Sequence, residues 1–414
     1  MRKYWQPVAL AAELHDGVPL PVKAFGENFV LYQNGPGEPV LMDRHCPHRG
    51  ADLSYGRCEG ENLRCVYHGW LFSRDGDCLE TPGEPANSSL PQRVKQRSYP
   101  VRKVAGLILA YLGEGDPPPL PQFEWLSQPS ERVFVTKVFQ ACNYLQANEG
   151  NLDQVHLSFL HRVRIDEGRP YLMDRETTAG MSSTLQLLAE DVSPQIEIEE
   201  TPFGFREYVT RKTVDGDKYL KVESFVMPNM AVFPGAIVAR DGFQSHWHVP
   251  IDDVSHWKYV IVFERSDPVQ KERIQKVLFG DHEVGPPHYR LAANAENRYF
   301  QDRSSMKAGD FAGFGVAFEI HDTWAIESCG PIQDRSKEKL GYGDRSIIAM
   351  RKIMLKAIER LEKTGEIDDL GNPSLAGQMT AIQEVVSIET DDRTFLARRI
   401  AERLGRKSVM SDAR

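Results

Sequence analysis

The chain has 414 residues, of which 41% are hydrophobic, and its formal net charge is -9 with a pI near 5.8. This length and apolar content allow two domains, each with a sizeable core. The acidic balance and the scattered basic residues argue against nucleic acid as a partner. No apolar run approaches the roughly 20 residues that a membrane span requires, and the opening segment is too weakly apolar for a secretory signal. We therefore expect a cytoplasmic protein without a nucleic-acid or membrane partner.

The first part of the chain has the pattern of short strands. Residues 1 to about 115 alternate apolar segments with Gly, Pro and Asp turns, which predicts an all-β module. The Pro-rich segment "GDPPPLPQ" at 115–122 cannot continue a helix or a central strand. The sequence therefore predicts two domains, 1–120 and 121–414.

The second part mixes element types. A strand is expected to lead into a helical stretch at 142–162, and a hairpin is expected to turn at Asp215-Gly216. Residues 267–320 are polar and rich in Gly and Pro, so we expect an irregular segment there. Apolar residues recur at helical spacing from Asp344 to about Lys363. Together these patterns predict an α+β domain with helices on one face of an antiparallel sheet.

Four residues with metal-ligand chemistry lie close together in the all-β module. They are Cys46, His48, Cys65 and His68, in the segment "CPHRGADLSYGRCEGENLRCVYHGW". Six cysteines in so long a chain are too few for a disulfide framework, which favours a metal site. A zinc site is one interpretation, but zinc fingers usually separate the Cys pair from the His pair. Each segment here mixes the two types, as a Rieske [2Fe-2S] cluster requires, because one of its irons takes two thiolates and the other two imidazoles.

A second pattern follows in "ACNYLQANEGNLDQVHLSFLHR", where Asp153, His156 and His161 occur in one predicted helical stretch. Two imidazoles and a carboxylate form the ligand triad of non-haem Fe(II) oxygenases, with positions left open for O₂ and substrate. Asp153 can be the carboxylate of such a triad. It can equally accept a hydrogen bond from a ligating imidazole, which fixes the tautomer of that ring.

Taken together, the two motifs make the chain resemble the α subunit of a Rieske non-haem iron oxygenase, also called an aromatic ring-hydroxylating oxygenase. Within that family, the chain is most similar in residue pattern to the phthalate and phenoxybenzoate dioxygenase branch. Two segments carry this similarity, "CNYLQANEGNLDQVHLSFLH" and "DTWAIESCGPIQDRSKEKLGYGDRSIIAMRKIML". The resemblance implies an N-terminal Rieske domain and a C-terminal helix-grip catalytic domain. It also implies that His156 and His161 bind a mononuclear non-haem Fe(II), with Asp322 as the third ligand and Glu327 as its competitor.

The same resemblance implies the partners. Asp153 matches the family's bridging aspartate, which links a cluster histidine, here His68, to an iron ligand, here His156, across a subunit boundary. A homotrimer or a dimer of trimers follows from that role. No nucleotide-binding fingerprint is found, so NAD(P)H is expected to be used by a separate reductase carrying flavin and an iron-sulfur domain.

The expected reaction uses O₂ to hydroxylate, dihydroxylate or O-demethylate a small aromatic substrate, and the branch favours a carboxylated one. Arg206 and Arg211, on the predicted hairpin, are candidates for binding a carboxylate. The alternative is a non-catalytic protein that senses redox state or binds an apolar ligand in a helix-grip domain. The complete set of two histidines and a distant aspartate argues against that alternative, because a binding module needs no open iron positions.

Overall fold

This computed structural model describes residues 1–33, 35–162, 188, 191–235, 238–367 and 377–405. The chain divides into two compact units. The first comprises Met1–Leu120 and Val249–Asp253, and the second comprises the described residues of Pro121–His248 and Val254–Arg414. None of the helices in these described ranges is long and apolar enough to cross a membrane.

The first unit is built from short antiparallel strands, as the pattern of apolar segments and turns predicts. The strands are β1 (Gln6–Leu10), β2 (Leu20–Ala24), β3 (Glu27–Tyr32), β4 (Val40–Asp43), β5 (Arg57–Glu59), β6 (Asn62–Arg64), β7 (Leu71–Phe72), β8 (Cys78–Glu80), β9 (Ser98–Tyr99), β10 (Val101–Val104) and β11 (Leu107–Ala110). Their sheet orders are β1-β11-β10, β2-β3-β4-β9 and β5-β6-β7-β8. Fully buried Phe29, Leu31, Leu41 and Ile108 belong to one core, and a second core contains Cys46 and Cys65.

The second unit contains one large antiparallel sheet. Its strands are β12 (Val133–Gln140), β13 (Gln195–Thr201), β14 (Gly204–Lys212), β15 (Lys218–Val226), β16 (Met230–Pro234), β17 (Phe243–Asp252), β18 (Ser255–Phe263) and β19 (Ile382–Val386). The order is β12-β18-β17-β16-β15-β14-β13, and β19 also pairs with β15. The predicted hairpin is confirmed, since Lys212 pairs with Lys218 around a turn in which Gly216 has a φ of +88°.

The described α-helices all belong to the second unit. They are α1 (Tyr144–Asn151), α2 (Lys271–Phe279), α3 (Arg303–Ala308), α4 (Phe318–Glu327), α5 (Arg345–Thr364) and α6 (Asp392–Arg403). The predicted late helix is confirmed as α5, and Gly365 ends it in the left-handed conformation, with φ of +72°. The predicted all-β module followed by an α+β domain with an antiparallel sheet is therefore confirmed.

Two local predictions were wrong. The helical stretch expected over 142–162 is interrupted, because α1 ends at Asn151 and only a single 3₁₀ turn, His156–Ser158, follows it. The segment 267–320 is not irregular throughout. Within it α2 forms and buries an apolar face, including Ile274 and Val277, against the core of the second unit. The polar residues of α2 lie on its other face, which is why composition alone concealed the helix.

Candidate metal centres and active-site cavity

Two loops of the first unit carry the four predicted cluster ligands, and they share one conformation. The backbone N–H of Gly50 donates to Cys46 O at 2.8 Å, and that of Gly69 donates to Cys65 O at 3.0 Å. Both glycines are left-handed, with φ of +75° and +76°, a conformation that a side chain disfavours. Each cysteine therefore opens a tight turn that is closed by a glycine four residues later.

The two loops bring their thiols and imidazoles together in separate layers. Cys46 and Cys65 are each only 3% exposed, whereas His48 lies at the surface. Burial raises the pKa of the Cys46 thiol to about 11, and the neighbouring thiol of Cys65 adds to the shift. The rings of His48 and His68 have centroids 4.4 Å apart, and Trp70 stacks on His48 at the same separation, with 3° between the planes.

This donor set fits the Rieske cluster. Two thiols lie on the buried side and two imidazoles on the outer side, so Cys46 and Cys65 would hold one iron of a bound cluster and His48 and His68 the other. A thiol that is hard to ionise on its own becomes a ligand when a cation replaces its proton. The aromatic ring of Trp70 covers one of the imidazoles, which limits the access of water.

The second set of predicted ligands meets within the second unit. His156, His161 and Asp322 each offer one ligand atom, and these three atoms lie within 4.8 Å of one another. Asp153 positions the first histidine, since its Oδ1 accepts from the backbone N–H of Val155 at 2.8 Å and of His156 at 3.3 Å. This cap starts the 3₁₀ turn at His156, and α4 supplies Asp322 from the far end of the chain.

A neighbouring histidine that sequence reasoning missed fixes the tautomer of His161. His321 Nε2 lies 3.0 Å from Gly315 O, which can only accept, so Nε2 carries the proton. Burial lowers the pKa of His321 to about 3, so the ring is neutral and its Nδ1 is an acceptor. His161 Nδ1, 3.2 Å away, must then donate to it. The lone pair of His161 therefore lies on Nε2.

That lone pair faces a carboxylate. His161 Nε2 lies 3.0 Å from Asp322 Oδ1, and His156 Nε2 lies 3.9 Å from the same oxygen. Two lone-pair atoms at such a distance repel each other unless a proton or a metal cation lies between them. The chemistry of the three groups therefore fits a single divalent cation.

A buried ion pair borders this site and was also missed from the sequence. Lys258 on β18 is bonded to both carboxylate oxygens of Glu319 on α4, at 2.8 and 3.0 Å, and lies 3.8 Å from Asp322 Oδ2. Burial acts to raise the pKa of Asp322, but a proton or cation shared with His161 Nε2 and the charge of Lys258 outweigh it and hold that pKa well below its usual range. Asp322 is therefore ionised at any physiological pH. The sequence gives one signal for the buried polar groups around Asp322, which is that a second histidine, His321, directly precedes it.

The two carboxylates that compete with Asp322 are placed differently. Glu327 accepts from Ala141 N and from the Tyr299 hydroxyl, each at 2.7 Å, so both of its oxygens are engaged away from the histidines. Asp153 Oδ2 lies 3.9 Å from His156 Nδ1, on the side of the ring opposite Asp322. Asp153 is thus beside a candidate ligand rather than among the three ligand atoms that meet.

A cavity opens beside the three candidate ligands. It offers about 140 Å³ to the centre of a water-sized molecule, and His156, His161 and Asp322 contribute to its wall. Apolar side chains form much of the remaining wall, among them Leu157, Phe233, Val238, Val277, Leu278 and Phe318. Such a space suits a flat apolar molecule that is held by a few polar groups.

In the part of the cavity wall that the structure describes, Lys221 is the candidate cation for a substrate carboxylate, and neither of the predicted arginines lies there. Lys221 lines the cavity and is paired with Glu223 at 2.8 Å. Arg211 is fully buried and donates to Ser158 Oγ at 3.0 Å and to Gln154 O at 2.6 Å. Arg206 donates to a backbone carbonyl at 2.9 Å and does not line the cavity. The two arginines therefore serve the structure of β14.

Comparison with known proteins agrees with this organisation. Residues 4–100 match the model of the Rieske [2Fe-2S] domain, and residues 110–413 match the family described as LigXa C-terminal domain like. Among curated proteins, the chain is 32% identical to the phthalate 4,5-dioxygenase oxygenase subunit of Pseudomonas putida, over 96% of this chain and 90% of that protein. It is 29% identical to the 5,5'-dehydrodivanillate O-demethylase oxygenase subunit of Sphingobium sp. (strain NBRC 103272 / SYK-6), over 88% and 77%. Among solved structures, NdmA of Pseudomonas putida CBB5 superposes with a TM-score of 0.57 at 21% identity, over 94% of this chain and 98% of that one.

A small β domain of the Rieske type, followed by an antiparallel sheet with helices, defines an oxidoreductase that carries a [2Fe-2S] cluster. The chain belongs to the Rieske oxygenases, as an oxygenase α subunit. The family predicted from the two motifs is therefore confirmed.

Proposed function

We propose that this chain is the oxygenase component of a multicomponent system that hydroxylates, dihydroxylates or O-demethylates a carboxylated aromatic compound. It uses O₂, together with electrons from a separate reductase that carries flavin and an iron-sulfur domain and consumes NAD(P)H. One observation carries the proposal. Two histidines with fixed surroundings and one ionised aspartate converge on the wall of an apolar cavity. An apolar-ligand carrier gains nothing from that convergence, because it needs no metal.

The ligand assignments follow the chemistry of the donors. In this proposal Cys46 and Cys65 hold one cluster iron, and His48 and His68 hold the other. His156, His161 and Asp322 hold the mononuclear Fe(II). When bound, the cluster supplies single electrons, and the mononuclear iron supplies the site at which O₂ is activated next to the substrate. The proposed domains are 1–120 for the cluster and 121–414 for catalysis.

The protein's own residues prepare the site. His321 keeps the proton of His161 on Nδ1, so that Nε2 is free for a cation. Lys258, which is held by Glu319, lies 3.8 Å from Asp322 Oδ2, and its positive charge favours the ionised form of Asp322. The apolar part of the cavity wall excludes water and provides a surface on which the aromatic ring of the substrate can pack.

The carboxylated class of substrate rests on two supports. The names of the phthalate and dehydrodivanillate enzymes are those of aromatic acids, and this chain covers most of both proteins. Within the cavity, the ammonium group of Lys221 is paired with Glu223 at 2.8 Å, and in this proposal it also binds the carboxylate of the substrate. An ammonium and a carboxylate form a charge-assisted hydrogen bond, which is roughly twice as strong as a neutral one.

The proposed route of electron delivery requires an oligomer. We assign Asp153 as the bridge between His68 of one subunit and His156 of the next, in a homotrimer or a dimer of trimers. The position of Asp153 beside His156 Nδ1 supports this role, because that nitrogen is the one turned away from Asp322. A cytoplasmic location is part of the same proposal, since NAD(P)H and a reductase are supplied there.

Product analysis tests the function. Purified protein is incubated with a compatible reductase, NADH, O₂ and a panel of benzoates, phthalates and methoxybenzoates. Formaldehyde release indicates O-demethylation, and a cis-diol indicates dioxygenation. Asp322→Asn serves as the matched control, because it keeps the size of the side chain and removes its charge. If no aromatic acid or methoxy aromatic is converted while the cluster is reduced normally, the proposed function is wrong.

A further inference from the structure

A histidine that the proposed reaction does not use lies in the cavity wall. His246 is on β17, and it shares a face of that strand with Gln244 and His248, because residues two apart point the same way. Gln244 and His246 both line the cavity, and the ring of Phe233, another wall residue, meets the His246 ring edge to face at 4.6 Å. The imidazole is thus part of the surface that a bound molecule meets.

A chain of hydrogen bonds leads to this ring, and its direction is set at the far end. His256 Nδ1 lies 2.7 Å from Cys142 O, a backbone carbonyl that can only accept. His256 Nδ1 therefore carries the proton, and because the ring is neutral its Nε2 is an acceptor. Burial supports that neutrality, since it lowers the pKa of His256 to about 4. His248 Nδ1, 3.1 Å from His256 Nε2, must then donate.

The same logic continues through one amide. With its Nδ1 protonated, His248 presents a lone pair at Nε2, and this atom lies 2.6 Å from Asn151 Nδ2, which donates to it. Asn151 Oδ1 is thereby turned to the other side and lies 3.1 Å from His246 Nδ1. An amide oxygen can only accept, so His246 Nδ1 is the donor. The orientation of the amide and the tautomers of all three histidines follow from one backbone carbonyl.

The end of the chain is an unused acceptor. His246 is 4% exposed, and burial lowers its pKa well below the usual value, so the ring is neutral with its lone pair on Nε2. That atom is buried and has no hydrogen-bond partner in the described part of the chain. Folded proteins rarely leave a buried acceptor unpaired, because the lost hydration is not repaid. A partner from outside the chain removes the cost.

We propose that His246 is the specificity-determining residue of the cavity, and that its Nε2 accepts a hydrogen bond from a hydroxyl group on the aromatic substrate. The inference rests on the proposed function and narrows it from aromatic acids to hydroxylated aromatic acids. A methoxy group or a bare ring carbon at that point offers no proton. With such a ligand bound, His246 Nε2 stays buried and unpaired. The binding free energy of the wrong ligand is therefore weakened by more than the hydrogen bond strengthens that of the right one.

Asn151, His248 and His256 act as positioning residues in this scheme. Asn151 also lines the cavity, but the role proposed for all three residues is to hold the proton of His246 on Nδ1. If one of these hydrogen bonds is lost, the His246 ring can carry its proton on Nε2 instead, and that N–H then donates to a methoxy oxygen. The preference between hydroxyl and methoxy ligands therefore reports the tautomer of His246.

Equilibrium binding tests the proposal without turnover. Dissociation constants are measured by calorimetry on the anaerobic, oxidised holoprotein, with meta- and para-hydroxybenzoate, their methyl ethers and benzoate as probes. Benzoate lacks the donor without adding bulk, so it separates hydrogen bonding from size. At one ring position we expect the hydroxy acid to bind about 10-fold more tightly than both benzoate and the methyl ether. His246→Leu is expected to bring the hydroxybenzoate-to-benzoate ratio close to one, whereas His246→Gln, which keeps an acceptor, retains part of it.

Three further variants separate specificity from folding. Gln244→Leu, in the same wall and on the same strand face, is expected to change the affinities of all probes alike. Asn151→Asp keeps the oxygen that faces His246 Nδ1 but replaces the donor to His248 Nε2 with a second acceptor, so it is expected to weaken the hydroxyl preference. Asn151→Leu removes that oxygen and is expected to reduce the preference. Each ratio is internal to one protein sample, so a partly unfolded variant still gives a valid answer.

Equal binding of hydroxybenzoate and benzoate at both ring positions overturns the proposal, because it means that water satisfies His246 Nε2. So does a preference that survives His246→Leu, or the failure of every hydroxybenzoate to bind. None of these results bears on the proposed function, which is judged by product formation. Conversion of non-hydroxylated aromatic acids together with equal binding leaves the oxygenase intact and removes only the role of His246.

Discussion

His321 decides which nitrogen of His161 is available as a ligand, although it is not itself in the predicted ligand set. The carbonyl oxygen of Gly315 fixes the proton of His321 on Nε2, and Nδ1 of His321 then accepts the proton of His161 Nδ1 in a hydrogen bond. Asp322 is likewise kept ionised by its neighbours, through the proton or cation that it shares with His161 and through the charge of Lys258. At the scale of single residues, the site is therefore defined by the neighbours of its ligands.

Asp322 and Glu327 make the sharpest test at this scale. Asp322→Asn is expected to lose the mononuclear iron and to lower turnover at least about 100-fold, because an amide no longer offers a charged oxygen to the cation. Glu327→Gln is expected to keep the iron, since Glu327 is engaged with Ala141 N and the Tyr299 hydroxyl. Iron analysis and the visible spectrum of the cluster give both answers from one preparation. Loss of iron in the Glu327 variant with full iron in the Asp322 variant would reverse the assignment.

The strands β14 and β15 carry two neighbouring buried glutamates, Glu207 and Glu223. Glu207 is fully buried, and burial together with the charge of Glu223 raises its pKa to about 8. Gln154 donates to both carboxylates, and the Ser346 hydroxyl donates to Glu207. The network ties the segment that carries His156 to β14, β15 and α5.

The raised pKa of Glu207 predicts how stability depends on pH. In the unfolded chain this carboxyl ionises near pH 4.5, so the folded state binds the extra proton between about pH 4.5 and 8. The free energy of unfolding is therefore expected to fall as the pH rises through this window, by a few kcal/mol in total. Glu207→Gln is expected to flatten the decline, as measured by urea denaturation at several pH values. A variant that declines as steeply as the parent would remove Glu207 as the cause.

The elements with a strong local pattern were predictable, and those set by tertiary contacts were not. The helix from Arg345 to Thr364 repeats its apolar residues at helical spacing and ends at a glycine, so its sequence alone identifies it. The helix Lys271–Phe279 was missed because its polar face dominates the composition of the segment. The turn at His156 was taken for helix, because the spacing of Asp153, His156 and His161 is compatible with both.

The candidate site divides in the same way. The ligand-type residues are readable from spacing because a metal restricts the residue types that can bind it. Lys258, Glu319 and Asn151 are not readable, since each acts through a partner far away in the chain. His246 looks like any other histidine on a strand, and only the chain of hydrogen bonds from Cys142 O gives it a direction.

In the proposed oligomer, electrons pass from the cluster domain of one subunit to the catalytic domain of the neighbouring subunit. Asp153→Ala is expected to keep both iron centres and to lower substrate-coupled turnover at least about 100-fold, because the variant lacks the proposed bridge between His68 of one subunit and His156 of the next. Stopped-flow reduction of the cluster by the reductase should be unchanged in this variant. Retained coupled turnover would mean that electrons take another path.

The central claim is that two different iron centres are present, one bound half by sulfur and half by nitrogen, and one bound by His156, His161 and Asp322. Electron paramagnetic resonance of the anaerobically reduced protein, treated with nitric oxide as a probe of ferrous iron, tests it in one spectrum. The account predicts a rhombic cluster signal with a low average g value together with a high-spin ferrous nitrosyl signal, and Asp322→Asn should remove only the second. A cluster signal alone in the parent protein, or a nitrosyl signal that survives in the variant, would contradict it.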